Sequence, residues 1–303
     1  TTGDNNTFIG GHAGGANTTA GSNTAVGYQA LDAITTVGSM TAIGAAALGA
    51  NTSGYGSTAV GAACLDANTT GNNNTALGQN ALGANTSGAS NTAVGTSALG
   101  ANTTASYNSA VGHGALDACT TGHSLVAVGH NALGSLTEGA YNVAVGREAG
   151  MTLTTPSSNT LIGHAAGAYI TTGGNNTCIG STAGDAITTG HTSVIIGQAA
   201  GSAMTTATEN VLIGNNVAAA LTTGSLNIII GDNAGAGGIL TGGSNVVVGD
   251  NAGYALVAGN NNVLMGQSAG DAITSGTHNV CIGPNAGGAV VTGSYGIFIG
   301  NST

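Results

Sequence analysis

"NTAVGYQALDAITT", Asn23–Thr36, returns as "MTAIGAAALGANTS", Met40–Ser53, and again as "STAVGAACLDANTT", Ser57–Thr70. Aligned on the glycine that closes the apolar triplet, the motif recurs from Gly10, Gly27 and Gly44 to Gly300, eighteen times in 303 residues. The spacing is 17 residues except for 18 between Gly231 and Gly249, so one extra residue falls in the segment 232–240 and is expected in an outward loop. A fixed short period marks a solenoid in which each repeat is one coil.

With the coil numbered 1 to 17 and this glycine at position 10, position 9 is apolar in all eighteen coils, from Ile9 and Val26 to Ile282 and Ile299. Position 6 is Asn in thirteen coils, and position 13 is Ala, Cys or Val in all seventeen that reach it. Positions 1 and 2 are mostly Thr and position 3 is Gly in thirteen coils, which reads as a turn. A β-branched run between two glycine corners suits two short strands, at roughly positions 5–9 and 11–14. The expected fold is an all-β parallel β-solenoid of the β-roll kind, about 18 coils of 17 residues, forming a single repeat domain over 1–303. Pro156 at position 3 and Pro284 at position 11 avoid the "NTAVG" ladder, where a missing N–H would cost a hydrogen bond. Stacked Asn side chains at position 6 are expected to bond up and down the column, as Asn ladders do in cross-β assemblies.

Positions 7 and 9 point one way and position 8 the other. Position 8 is Ala in coils two to nine, where position 14 is usually Leu, from Leu31 to Leu133. Where position 8 grows to Leu161, Ile195, Leu212, Ile229 or Leu264, position 14 shrinks to Gly or Ala, and Phe8 stands with Gly14. Such compensation is what close packing demands if both fill one interior. Two ancestral repeat types, each duplicated, would give the same correlation without contact. With position 8 inside, an apolar stripe at 7 and 9 faces out, and exposed stripes of that size mark an interface. Association with copies of the same chain, as a homotrimer or a filament, follows. A carboxylate in place of Val128 at position 9 is expected to be costly, and Asp in place of Asn131 at position 12 nearly silent.

The "NTAVG-xxAL" and "NTxIG-xxAG" coils resemble the β-roll repeats in the heads of trimeric autotransporter adhesins, and more closely the 17-residue repeats of phage tail-fibre and bacterial surface-fibre proteins. The resemblance covers the whole chain. It implies a left-handed parallel β-roll, assembled as a homotrimer and serving as a fibre shaft or adhesive head. The chain departs from the adhesin pattern in having 17 residues per coil rather than 14.

Composition narrows the function. There are 56 Gly, no Trp, two Phe and no Lys, with 41% apolar residues, so small side chains must pack densely; at 4% charged residues the chain does not read as disordered. A net charge of −10 with Arg147 as the one fixed positive charge removes the basis for gripping nucleic acid. No apolar run approaches membrane-helix length and no leader pattern opens the chain, so it reads as a segment of a longer fibre protein, extracellular, at a cell surface or on a virion. A cell-surface receptor or a glycan is the external partner such a fibre would take.

No motif of an enzyme appears, and no catalytic, cofactor-binding or metal-binding residue is assigned. Asp32, Asp66, Asp117, Asp185 and Asp271 share position 15, a turn site where Asp bonds its own backbone. The four Cys lie at least three coils apart, roughly 14 Å along the stack, beyond disulfide reach, and read as packing residues. His113 and His130 share position 11 in adjacent coils and would stack about 5 Å apart; without a third ligand they read as a solvated ladder rather than a metal site. "NTT" at Asn17, Asn68 and Asn102 would accept glycans in a eukaryotic secretory pathway, whereas in a bacterial or viral fibre the same Asn and Thr columns are turn formers.

The leading reading is a structural and adhesive fibre segment, with eighteen coils giving a rod roughly 80 Å long. The alternative is an ice-binding solenoid, because Thr at position 1 runs unbroken from Thr1 to Thr222 before Leu240 and Val257 interrupt it. Adjacent Thr residues point to opposite sides, which counts against it.

Overall fold

A computed structural model describes residues 3–303; Thr1, the first member of the threonine column, lies outside the described residues. Every strand is three residues long and covers positions 7 to 9. The chain divides into two compact units, Thr1–Thr155 and Pro156–Thr303. In the first, nine strands from β1 (Thr7–Ile9) to β9 (Val143–Val145) form one parallel ladder in which each strand pairs with its sequence neighbour. In the second, nine strands from β10 (Thr160–Ile162) to β18 (Ile297–Ile299) do the same. No helix occurs among the described residues, and the protein is an all-β parallel β-solenoid.

The register advances one coil at a time, Ala25 opposite Ala42 and Ala42 opposite Ala59. At the insertion it advances by one residue more, with Ile229 opposite Val247. The extra length is absorbed where Ile239 swings out, 63% exposed, while Leu240 turns in and is buried.

The expected second strand at positions 11–14 does not form, and the first is shorter than 5–9. Positions 5, 12 and 14 adopt left-handed backbone angles, as at Ser22 (φ 60°), Gln29 (φ 55°) and Leu31 (φ 51°). Left-handed residues break the two-residue alternation of a pleated strand. Adjacent side chains at 13 and 14 can then both point inward, as Ala30 and Leu31 do. Tight turns run through this stretch instead, with Ala47 N–H donating to Gly44 O, Gly49 N–H to Ala46 O and Asn51 N–H to Leu48 O. Backbone bonds between coils persist here too, since Leu48 N–H donates to Cys64 O and Ala46 N–H to Tyr28 O.

Glycine at position 10 is required twice over. Gly27 has φ 137°, and a Cβ there would lie 2.6 Å from the carbonyl carbon of Gly44 in the next coil. The ladder brings successive backbones too close at this corner for any side chain.

The interior is built from positions 8, 13, 14 and 17. Position 8 is buried throughout β2 (Thr24–Val26) to β17 (Val280–Ile282), and Leu31, Leu48, Leu65, Leu82 and Leu99 at position 14 are buried as well. Each such leucine contributes about 1.5–3 kcal/mol. The volume exchange between 8 and 14 is contact: a Cβ on Gly14 would lie 2.6 Å from Phe8 Cε2, and one on Gly201 2.8 Å from Leu212 Cδ1. Duplication of two repeat types is not needed to explain it. Positions 7 and 9 flank the buried residue and stand outward. Val128 is 37% exposed in its coil, so a carboxylate there would meet solvent in the single chain; the expected cost of burial applies only where another molecule covers the strand.

Candidate interaction surface

Two asparagine columns fix the coils to one another before any surface is presented. At position 6 the amide oxygen accepts the backbone N–H of the same position one coil on, as Asn91 N–H donates to Asn74 Oδ1 at 3.0 Å and Asn108 N–H to Asn91 Oδ1 at 3.0 Å. The amide nitrogen donates to the turn carbonyl of that next coil, Asn74 Nδ2 to Gly88 O at 2.8 Å and Asn176 Nδ2 to Gly190 O at 2.9 Å. The expected amide-to-amide bonds occur as well, Asn262 Nδ2 to Asn245 Oδ1 at 3.0 Å among them. The backbone claims more of this column because position 6 lies just outside the strand.

The second column, at position 17, was not anticipated. Asn51, Asn68, Asn85 and Asn102 are buried and linked in a chain: Asn68 Nδ2 donates to Asn51 Oδ1 at 2.9 Å, Asn85 Nδ2 to Asn68 Oδ1 at 2.8 Å and Asn102 Nδ2 to Asn85 Oδ1 at 2.7 Å. The row ends where Cys119 replaces Asn, and there the buried Asn102 Oδ1 has no hydrogen-bond partner. The sequence signal was present, since position 17 holds only Asn, Cys or open-chain apolar side chains through Leu221, but the change of polarity along the column hid its shared direction. The finding also favours turn formation over glycan attachment for the "NTT" sites. Asn17, Asn68 and Asn102 are buried, and each Nδ2 is bonded inside the fold, so the folded coils hold no room for a glycan on them.

The outward strand residues form two parallel rows. In the first unit position 7 runs Thr24, Thr41, Thr58, Thr75, Thr92 and Ser109, then Val126 and Val143, with Val, Ile or Leu at position 9. In the second unit Val194, Val211, Ile228, Val246, Val263, Val280 and Ile297 occupy position 7. All of these side chains are half-buried or exposed. Position 9 is thus an unbroken apolar row, whereas position 7 carries Thr or Ser through Ser109 and again at Thr160 and Thr177 and is aliphatic elsewhere; neither row holds a charged residue.

At position 11 the rings of His113 and His130 stack with centroids 5.4 Å apart and planes 10° from parallel, and Arg147 follows one coil on. Arg147 Nη2 lies 3.3 Å from Glu148 Oε1, with the guanidinium exposed. Rings stacked face to face lie side by side rather than converging on one point. Among the described residues no three His, Cys, Asp or Glu side chains are placed to hold a metal ion. On the other side of the strand, Tyr107 and Tyr141 at position 5 are 69% and 64% exposed, and His123 packs edge-on to Tyr141 at 5.5 Å.

The remaining titratable groups do not converge. The Asp residues at position 15 lie in the turns; Asp66 and Asp117 line a shallow groove of about 530 Å³ with Asn80 and Ser97, yet stand three coils apart. Burial raises the Asp185 carboxyl, partly offset by the backbone N–H groups of Asp185 and Ala186, and its Oδ1 is buried without a partner. All four thiols are buried and free. Burial pushes Cys64 and Cys119 up to about 11 and Cys178 to about 12, and raises Cys281 as well. Protonated and enclosed, they are poor nucleophiles.

The position 1 threonines are committed to the fold. Thr18 Oγ1 donates to Thr35 O at 2.9 Å, Thr86 Oγ1 to Thr103 O at 3.0 Å and Thr171 Oγ1 to Thr188 O at 3.1 Å. Compared with known protein families, curated proteins and solved structures, the chain matches none.

Proposed function

We propose that this chain is a structural and adhesive segment of a longer extracellular fibre, displayed at a cell surface or on a virion and built from parallel copies as a left-handed homotrimer. The observation that carries the reading is the pair of uncharged rows at positions 7 and 9, apolar at position 9 and increasingly at position 7, which no side chain of its own unit covers. Burying them against other copies at about 25 cal/mol per Å² supplies a driving force that repeats with every coil. A closed rotational assembly satisfies every copy equivalently. The resemblance of the "NTAVG-xxAL" coils to tail-fibre and surface-fibre repeats supports the same role. On this reading the protein presents a surface, to a receptor or a glycan, and catalyses no reaction. Light scattering on the purified chain tests it: a species of three times 28.4 kDa is expected, and a stable 28.4 kDa monomer at micromolar concentration overturns it.

Ice binding is the second reading, favoured by the exposed hydroxyl row at position 2, Thr19, Thr36, Ser53 and Thr70 among its members. Glu138 and Ala258 interrupt that row, and the position 1 hydroxyls are bonded to carbonyls. Absence of thermal hysteresis is therefore expected, and clear hysteresis would favour this reading.

A further inference from the structure

Coils seven to nine concentrate the first unit's aromatic and basic side chains on the two edges of the outward strand row. Position 5 and its neighbour carry Tyr107, His123 and Tyr141 at successive levels, and position 11 carries His113, His130 and Arg147 at the same three levels. All six are exposed. Tyr141 and the chain's one arginine thus share a coil, on opposite sides of Val143 and Val145.

We infer that these six residues form a register lock between copies of this chain, in which the tyrosine and histidine edge of one copy seats on the histidine and arginine edge of the next. The inference rests on the self-association proposed above. Its geometry is general: rotation about an axis parallel to the coil stack, with the strand rows facing that axis, carries the position 5 edge of one copy against the position 11 edge of its neighbour at the same level. Tyr107 then meets His113, His123 meets His130 and Tyr141 meets Arg147. A guanidinium over a phenol ring is attractive, as are stacked or edge-on aromatic rings. Slippage by one coil in either direction takes Arg147 off the Tyr141 ring, placing it at the level of His123 or of Ser158. The strand rows differ from coil to coil only by exchanges among Thr, Ser and aliphatic side chains, so they separate one register from the next less sharply than these six rings and charges do.

The test uses two single variants of the full chain, Tyr141→Cys and Arg147→Cys, mixed, co-assembled and treated with a short bismaleimide. The native thiols are buried, so linkage reports the introduced pair. Covalent dimers are expected from the mixture and from neither variant alone, and the out-of-register mixture of Tyr107→Cys with Arg147→Cys should yield none. Loss of assembly in either single variant, with the strand rows intact, also supports the lock. Linkage within Arg147→Cys alone, equal linkage out of register, or no linkage in assembled mixtures overturns it while leaving self-association standing. A monomeric wild type removes the underlying reading itself.

Discussion

Leu161 fills the space that a side chain on Gly167 would need: a Cβ on that glycine would lie 2.8 Å from Leu161 Cδ2 and 2.7 Å from Ile170 Cδ1. The pair states the packing rule of most coils, one large residue from position 8 or 14 per layer; Ala144 with Gly150, Cys178 with Gly184 and Cys281 with Gly287 depart from it. The rule predicts a rescue. In coil two, Ala25→Leu should overpack against Leu31, and Leu31→Gly should leave a cavity, each costing about 2–4 kcal/mol. The double variant recreates the Leu161–Gly167 arrangement and should recover most of the loss. A double-mutant cycle by denaturant unfolding checks it; additive losses would contradict contact between the two positions.

Gly78 has φ 133°, and a Cβ there would stand 2.6 Å from the carbonyl carbon of Gly95. Gly78→Ala should therefore cost about 3 kcal/mol or more. At Gly83 the nearest atom to a new Cβ is Asn80 O at 3.3 Å, and no left-handed angle is required, so Gly83→Ala should change little. Thermal unfolding of the two variants side by side reads the difference.

The buried amide row predicts non-additivity. Asn85→Ile leaves Asn68 Oδ1 without its donor and takes from Asn102 Nδ2 one of its two acceptors, and a loss of about 1–3 kcal/mol is expected. Replacing Asn51, Asn68, Asn85 and Asn102 together by Ile removes both partners of each amide-to-amide bond, although the turn carbonyls of Gly54 and Gly71 lose their amide donors while Gly88 O and Ala105 O keep those of Asn74 and Asn91; Ile34 and Ile170 already occupy this position in other coils. The fourfold variant should lose well under four times the Asn85→Ile cost in urea titration, and a loss of four times that cost would contradict coupling along the row.

Thiol burial sets a pH dependence with a definite sign. Cys64 rises from 9.0 to about 11, so the folded chain holds this proton more tightly than the unfolded chain does. The corresponding stability is present below about pH 9 and is lost as pH climbs toward 11. Cys64→Ala and Cys178→Ala, each placing the residue that other coils use at positions 13 and 8, should flatten the decline of stability measured from pH 8 to 11.

The period, the inward course of position 8 and the outward rows at 7 and 9 were legible in the sequence because repetition exposes each column eighteen times over. The left-handed angles were not legible at Leu31 or Leu48, since leucine carries no sign of such a backbone and its apolar neighbours imitate a strand. Nor was the interior course of position 17, where Asn51 and Ile34 occupy equivalent places by different chemistry, one bonded along the stack and the other packed. The two edges that bring Tyr141 and Arg147 to one level could be numbered from the sequence, but their exposure came only with the fold.

The central claim, that copies of the chain associate through the strand rows, is tested most directly by sedimentation of the wild type beside Val128→Asp and Ala127→Asp. Val128 is partly exposed in the single chain and Ala127 is enclosed. The account predicts a wild-type trimer, a folded 28.4 kDa monomer for Val128→Asp with unchanged circular dichroism, and an unfolded or strongly destabilised chain for Ala127→Asp. A monomeric wild type, or a Val128→Asp chain that still assembles like the wild type, would contradict it.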